Sequence, residues 1–284
     1  MNPYFKYGVS KRQYFPMNLE KFLTGAKEAA VIGGQVLKEY FGGVKVSQIE
    51  EKAPKDFVSF VDKTAEERIR NYLSKNFPQT AILGEEEGFI GDSSLIWVVD
   101  PLDGTKNYLA GFPVFGVSVA LVDADKNFKP LVGAVYLPYF DSLYYAALGK
   151  GAFKNGKPIK VNSEKTELKK CFFCYGFPSR AKRNLNTYCG IVLKVFKKVA
   201  SLRRPGAAAV DLAYIAEGVF DGTFEFELKL WDVAAGTLLV EEAGGKVAWL
   251  NFNPQTWRMD IVASVPQFFD EIKQIVEEGL KETG

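Results

Sequence analysis

Leu95–Ala120, LIWVVDPLDGTKNYLAGFPVFGVSVA, is the stretch whose reading decides the fold. Its apolar run, Leu95 to Val99, reads as a buried strand ending at Asp100. The six residues Asp100-Pro101-Leu102-Asp103-Gly104-Thr105 then read as a tight turn that carries two carboxylates. Pro101 removes a backbone donor and fixes the turn, while Gly104 lets the backbone come close to a ligand. Thr105 is placed to begin a helix whose free N–H groups would face the acids. Two acids at the carboxyl end of a strand repel each other. Hard cations on Asp100 and Asp103, with a phosphate reaching the helix start, would relieve that repulsion. A solvated Asx-type turn explains one such acid, but the acids elsewhere in the chain favour the cation reading.

Composition sets the limits around this stretch. The 284 residues suffice for one large domain or two packed lobes. With Lys+Arg 36 against Asp+Glu 34 there is no polycationic footprint, so nucleic acid is not an expected partner. No apolar run approaches the roughly 20 residues of a membrane span, and no signal-peptide pattern is present. Cys171, Cys174 and Cys189 are an odd number in a long chain, which suggests a reducing cytoplasm. Histidine is absent altogether. That excludes a histidine base, a phosphohistidine and a His-ligated zinc. Chemistry must rest on carboxylates, hydroxyls, lysines, thiols or bound ions.

Working outward, Met1 to Pro16 reads as an N-terminal extension, aromatic, basic and patternless. Leu19, Phe22, Leu23, Ala26, Ala30, Gly33, Leu37 and Tyr40 follow helical spacing, with Gly42-Gly43 as the stop. Phe57 to Val61 alternates like a strand, and Asp62 opens a second helix that Pro78 ends. At that position Asp62 has a structural reading as an N-cap. Ala81 to Leu83 is a short strand leading into Gly84-Glu85-Glu86-Glu87-Gly88, a turn at a strand end where layered α/β folds recruit ligands. Phe115–Val122, Leu131–Leu137 and Ser142–Leu148 read as antiparallel strands, with Asn155-Gly156 as a hairpin turn.

Two motifs fail on inspection. Gly151 to Pro158 mimics a phosphate-binding P-loop, but Pro158 stands where a Ser or Thr is needed and a strand follows. Cys174 and Arg180 have phosphatase-like spacing, but Tyr175, Phe177 and Pro178 make a poor anion nest. Further on, Lys169–Phe177 reads as a strand, with Cys171 and Cys174 on opposite faces. Leu185–Val199 and Ala207–Glu217 read as helices, and Val219–Leu230 as a strand containing Glu225. Asp232 lies at the start of a small-faced helix, where an N-cap is again the structural reading. Val247–Leu250 and Ile261–Ala263 read as short strands, and Pro266–Leu280 as a closing helix.

Taken together, GEEEG at 84–88, WVVDPLDGTKNY at 97–108 and WDVAAGTLLVEEAGG at 231–245 resemble the inositol monophosphatase family of magnesium-dependent, lithium-sensitive phosphatases. The resemblance runs from about residue 17 to the end. It implies a layered α/β/α/β/α, α+β sugar-phosphatase fold of the inositol monophosphatase and fructose-1,6-bisphosphatase type. An N-terminal metal-binding lobe would span about 17–162 and a C-terminal lobe about 163–284. It also implies roles. Glu85, Asp100 and the Leu102 carbonyl would hold one Mg²⁺, Asp100, Asp103 and Asp232 a second, with two or three ions per site.

Gly104 and Thr105 would bind phosphate through their backbone, with Asp103 beside them. Thr105 and Asp62 would be the pair that orients the attacking water, and Glu85 would count with them as catalytic through the metal it holds. Glu225, Arg203 and the backbone at Ala208 would contact substrate, and Lys52 and Asp56 match a loop that closes over the metals. Myo-inositol 1-phosphate is the expected substrate. Fructose 1,6-bisphosphate is the alternative, with Arg180, Lys182, Arg183, Arg203 and Arg204 as clamps for a second phosphate. A homodimer is the expected assembly, and an RNA-polymerase-associated regulatory role is the reading from a different class.

Overall fold

The computed structural model describes residues 18–43, 49–53, 56–177 and 184–282, with the backbone alone for 49–53 and 56–59. Expectations about Met1 to Pro16, Arg180, Lys182 and Arg183, and about the side chains of Lys52 and Asp56, lie outside the described residues. In chain order the elements are α1 (Leu19–Tyr40), β1 (Ile49–Ala53), β2 (Asp56–Ser59), α2 (Phe60–Asn76), β3 (Ala81–Gly84), β4 (Gly88–Ile90), β5 (Leu95–Asp103) and α3 (Thr105–Leu109). Next come β6 (Gly116–Asp123), β7 (Lys129–Leu137), β8 (Ser142–Ala147), β9 (Ala152–Lys154), β10 (Lys157–Ile159), β11 (Phe172–Gly176), α4 (Leu185–Phe196) and β12 (Ser201–Arg203). The rest are α5 (Ala208–Ala216), β13 (Gly222–Lys229), α6 (Leu230–Glu242), β14 (Lys246–Asn253), β15 (Arg258–Ser264) and α7 (Pro266–Lys281).

Two sheets result. The larger runs β10-β9-β8-β7-β6-β5-β3-β4 and is antiparallel except where β3 pairs parallel with β5. The smaller runs β12-β11-β13-β15-β14, with β11 parallel to both its neighbours. Strand side chains alternate between faces, and here the alternation assigns each residue to a core. Trp97, Val99, Val117, Val119 and Leu121 pack with α1 and α2. Ile96, Val98, Ala120 and Val122 pack with α5 and α6 on the opposite face. The helices α5 and α6 also touch the smaller sheet, whose far side meets α7, and α7 packs on α4. The stack is therefore helix, sheet, helix, sheet, helix: the layered α+β architecture the resemblance implies.

Four local readings need correction. The strand read as ending at Asp100 continues to Asp103 as part of β5, still paired to β6. Asp100 pairs with Ser118 and Asp103 with Gly116, so one extra residue is absorbed in a bulge. A bulge tolerates Pro101 because no ladder donor is required there. Asp62 is not an N-cap, because α2 begins at Phe60 and places it in the first helical turn. Asp232 is likewise inside α6, where its carboxylate reaches back to accept the Lys229 N–H at 2.8 Å. The strand read at Lys169–Phe177 starts later, at Phe172, after a short 3₁₀ turn.

Candidate active site

The site is built around the bulge of β5. Asp100 is buried, and its Oδ1 accepts the Leu102 N–H at 3.0 Å, which fixes the carboxylate against the backbone kink. Because β3 runs parallel to β5, their carboxyl ends are adjacent. Gly84 pairs with Val99, and the Glu85 N–H donates to the Val99 carbonyl at 3.2 Å. Glu85 thus emerges beside Asp100. Gly104 follows the strand in a left-handed conformation, φ 87°, and a β-carbon there would lie 2.9 Å from the Val114 carbonyl. Only glycine fits this corner. The helix after it, α3, has five residues, so its dipole contributes less than a full helix would.

Thr105 Oγ1 lies 3.0 Å from the Leu102 carbonyl and 3.3 Å from Asp62 Oδ1. Both are acceptors and the hydroxyl has one proton, so it donates to one of them at a time. The pair joins α2 to the β5 corner. From the third layer, the Ala209 N–H at the start of α5 donates to Asp103 Oδ2 at 2.7 Å, and the Ala208 backbone faces the same carboxylate. Asp232 reaches the site from the first turn of α6 and Glu225 from the middle of β13.

Electrostatics show which groups meet. Burial, then the negative charges of Glu85, Asp103 and Asp232, pushes the Asp100 carboxyl well above the usual carboxylate range. Burial and Asp232 push Asp103 up likewise, opposed by the Ala209 N–H. Burial raises Glu225 to about 7, with Asp232 adding to it and Thr223 and Arg204 opposing. Glu85, Asp100, Asp103, Asp232 and Glu225 therefore share one region, adjoined by Asp62 and Thr105. Arg203 stands apart. Its guanidinium stacks on the Phe172 ring at 4.8 Å, whereas it is Arg204 whose charge bears on Glu225 and Asp211.

Asp211 was not singled out in the sequence. It is buried on α5 and is raised by burial and by Glu225 and Asp103, with Cys174 as a hydrogen-bonding neighbour. A single acid within the otherwise apolar run Ala208–Ala216 is the signal that would have found it. Cys174 is buried and its thiol is pushed well up by burial, unlike an activated nucleophile.

Among the described residues, no three acidic or thiol side chains are gathered tightly enough to hold a metal ion as they stand. The chemistry of the donor set nonetheless fits a hard divalent cation. All the donors are oxygens, and the charges of buried Asp100 and Asp103 and half-buried Glu85 and Asp232 oppose one another until a cation balances them.

Stacked sheets with acids gathered at a strand end are compatible with a phosphatase class. Within it, the chain belongs to the inositol monophosphatase family, whose model matches residues 18–278. It is 57% identical over 229 residues to "Fructose-1,6-bisphosphatase/inositol-1-monophosphatase" of Aquifex aeolicus, covering 80% of this chain and 85% of that protein. It is 37% identical over 267 residues to a "Putative Nus factor SuhB" of Neisseria meningitidis, covering 91% and 98%. Among solved structures it resembles the inositol monophosphatase of Anabaena, with a TM-score of 0.78 and 35% identity over 92% of this chain and 97% of that one.

Proposed function

We propose that the chain releases inorganic phosphate from myo-inositol 1-phosphate, with magnesium held by Glu85, Asp100, the Leu102 carbonyl, Asp103 and Asp232. The observation that carries this reading is the electrostatic meeting of Glu85, Asp100, Asp103 and Asp232 in a chain without histidine. Hydrolysing a phosphate monoester calls for on the order of 20 kcal/mol of catalysis. Bound divalent ions would supply activation of water and charge stabilisation at the leaving oxygen. The protein's own groups do the rest. Asp62 accepts the Thr105 hydroxyl proton, which leaves the Thr105 oxygen free to accept from the attacking water and aim it. The backbone at Gly104 and Thr105 receives the phosphate, and Glu225 with the Ala208 backbone receives the substrate's hydroxyls. Attack is direct, with no covalent phosphoenzyme.

A second reading, dual action on fructose 1,6-bisphosphate, is favoured by the 57% identical relative and by Arg204 beside Glu225. Phosphate release from inositol 1-phosphate, fructose 1,6-bisphosphate and 3′-phosphoadenosine 5′-phosphate, with and without Mg²⁺ and Li⁺, tests both. Magnesium-dependent, lithium-inhibited release from the first is expected, and full turnover in excess chelator would end the proposal. A transcriptional role, suggested by the relative named as a Nus factor, is tested by RNA polymerase pull-down with Asp100→Asn, which removes hydrolysis and leaves the surface intact.

A further inference from the structure

One buried ion pair lies behind the site and belongs to none of the groups assigned above. Glu66 and Arg70 sit on α2 one turn apart, with Arg70 Nε 2.8 Å from Glu66 Oε1 and the Glu66 side chain fully buried. The Glu66 carboxylate also accepts the N–H groups of Glu86 at 2.8 Å and Glu87 at 2.9 Å. Arg70 in turn donates to the Gly88 carbonyl. Three consecutive residues of the Glu85–Gly88 turn are therefore tied to one side of α2. The fit is close on the other side as well, because a β-carbon on Gly84 would overlap the Glu66 carboxylate.

The cost of this arrangement argues that it has a use. A buried ion pair rarely adds net stability over an apolar pair of the same size, and a charged turn such as Glu85-Glu86-Glu87 could have been left in solvent. What the pair provides is position. The Glu85 N–H is bonded to Val99 on the β5 side while Glu86 and Glu87 are bonded to Glu66 on the α2 side. Glu85 is thus held between two fixed anchors. The same helix carries Asp62 one turn before Glu66. Asp62, Glu66 and Arg70, at a spacing of four, form a single stripe along α2. One rigid helix then sets the register of the Thr105–Asp62 pair and of the Glu85 turn together.

We infer that Glu66 and Arg70 are positioning residues that hold the Glu85 turn in its metal-binding register. The inference rests on the proposed role of Glu85 as a ligand. Groups one shell behind a ligand typically change metal affinity 10–100-fold when removed, and that is the expected size here.

Titration of the metal-free full chain with Mn²⁺ alone, followed by calorimetry, tests it without reference to turnover. Glu66→Gln is expected to weaken Mn²⁺ binding by about 10–100-fold. The half-saturating metal concentration for phosphate release should rise equally, with kcat at saturating metal largely restored. A purely architectural role would lower the melting temperature and leave both metal readouts unmoved, and that result overturns the inference. Should Glu66→Gln fail to fold, Arg70→Lys keeps the charge but loses the fork to Gly88, and should shift affinity the same way by less. Parental affinity in that variant would be equally decisive against it. Glu85→Gln separates the two levels. If it loses Mn²⁺ while Glu66→Gln does not, only the positioning inference fails. If Glu85→Gln binds Mn²⁺ like the parent, the ligand assignment itself falls.

Discussion

At the scale of single residues, burial of acids decides the behaviour. Glu225 has its carboxyl raised from 4.5 to about 7, so the folded metal-free chain keeps a proton that the unfolded chain has released. Its contribution to stability is full below about pH 4.5 and is lost as pH rises to about 7. The melting temperature of the metal-free protein is expected to fall across that window, and less steeply in Glu225→Gln. Added Mg²⁺ should flatten the profile as well. Gly104→Ala is expected to cost about 1–3 kcal/mol, since alanine at φ 87° is strained and its β-carbon meets the Val114 carbonyl. Thermal melts and phosphate release on the same sample would show both losses. Of these residues, Asp100, Asp103 and Glu85 were legible as a set because they lie at strand ends with turn chemistry around them. Glu66 and Arg70 were not, because a polar residue on an amphipathic helix looks solvent-facing until the neighbouring layer is known, and Asp211 was passed over as the one acid in an otherwise apolar helix.

Among the elements, periodicity served well wherever one face of a segment is apolar. The long helices α1 and α7 and the meander β6–β8 follow their hydrophobic spacing closely. The Asn155-Gly156 hairpin follows its turn residues, both at positive φ. The errors cluster at helix starts and at the bulge. Asp62 and Asp232 each sit two residues inside a helix, because the apolar residues before them, Phe60 with Val61 and Leu230 with Trp231, belong to the first turn rather than to the preceding strand. An acid in the first turn and an acid at the cap look alike in sequence, since both satisfy the same helix end. Close packing between elements gives a further test. The helix α6 lies so near β7 that a β-carbon on Gly133 would stand 2.8 Å from the Ala235 Cα. Gly133→Val is expected to destabilise by about 1–3 kcal/mol or more, read as a lower urea midpoint with an unchanged slope.

Over the whole molecule, the layers determine what is reachable. Cys171 and Cys174 are buried in the smaller sheet's core and Cys189 is exposed on α4. A thiol reagent should therefore modify one cysteine in the folded protein and three after denaturation. No helix among the described residues is long and apolar enough to cross a membrane. The five-layer stack was legible only through the resemblance, because strand order between β3 and β5, or between β11 and β13, is a long-range property that no local pattern encodes. Those same long-range pairings have a consequence during synthesis. The eight-stranded sheet is complete at Ile159, yet α6, which covers one of its faces, ends at Glu242, roughly 80 residues later. At about 5–20 residues per second on the ribosome, that apolar face stays bare for about 4–16 seconds, an interval in which a chaperone would find a broad greasy surface to hold.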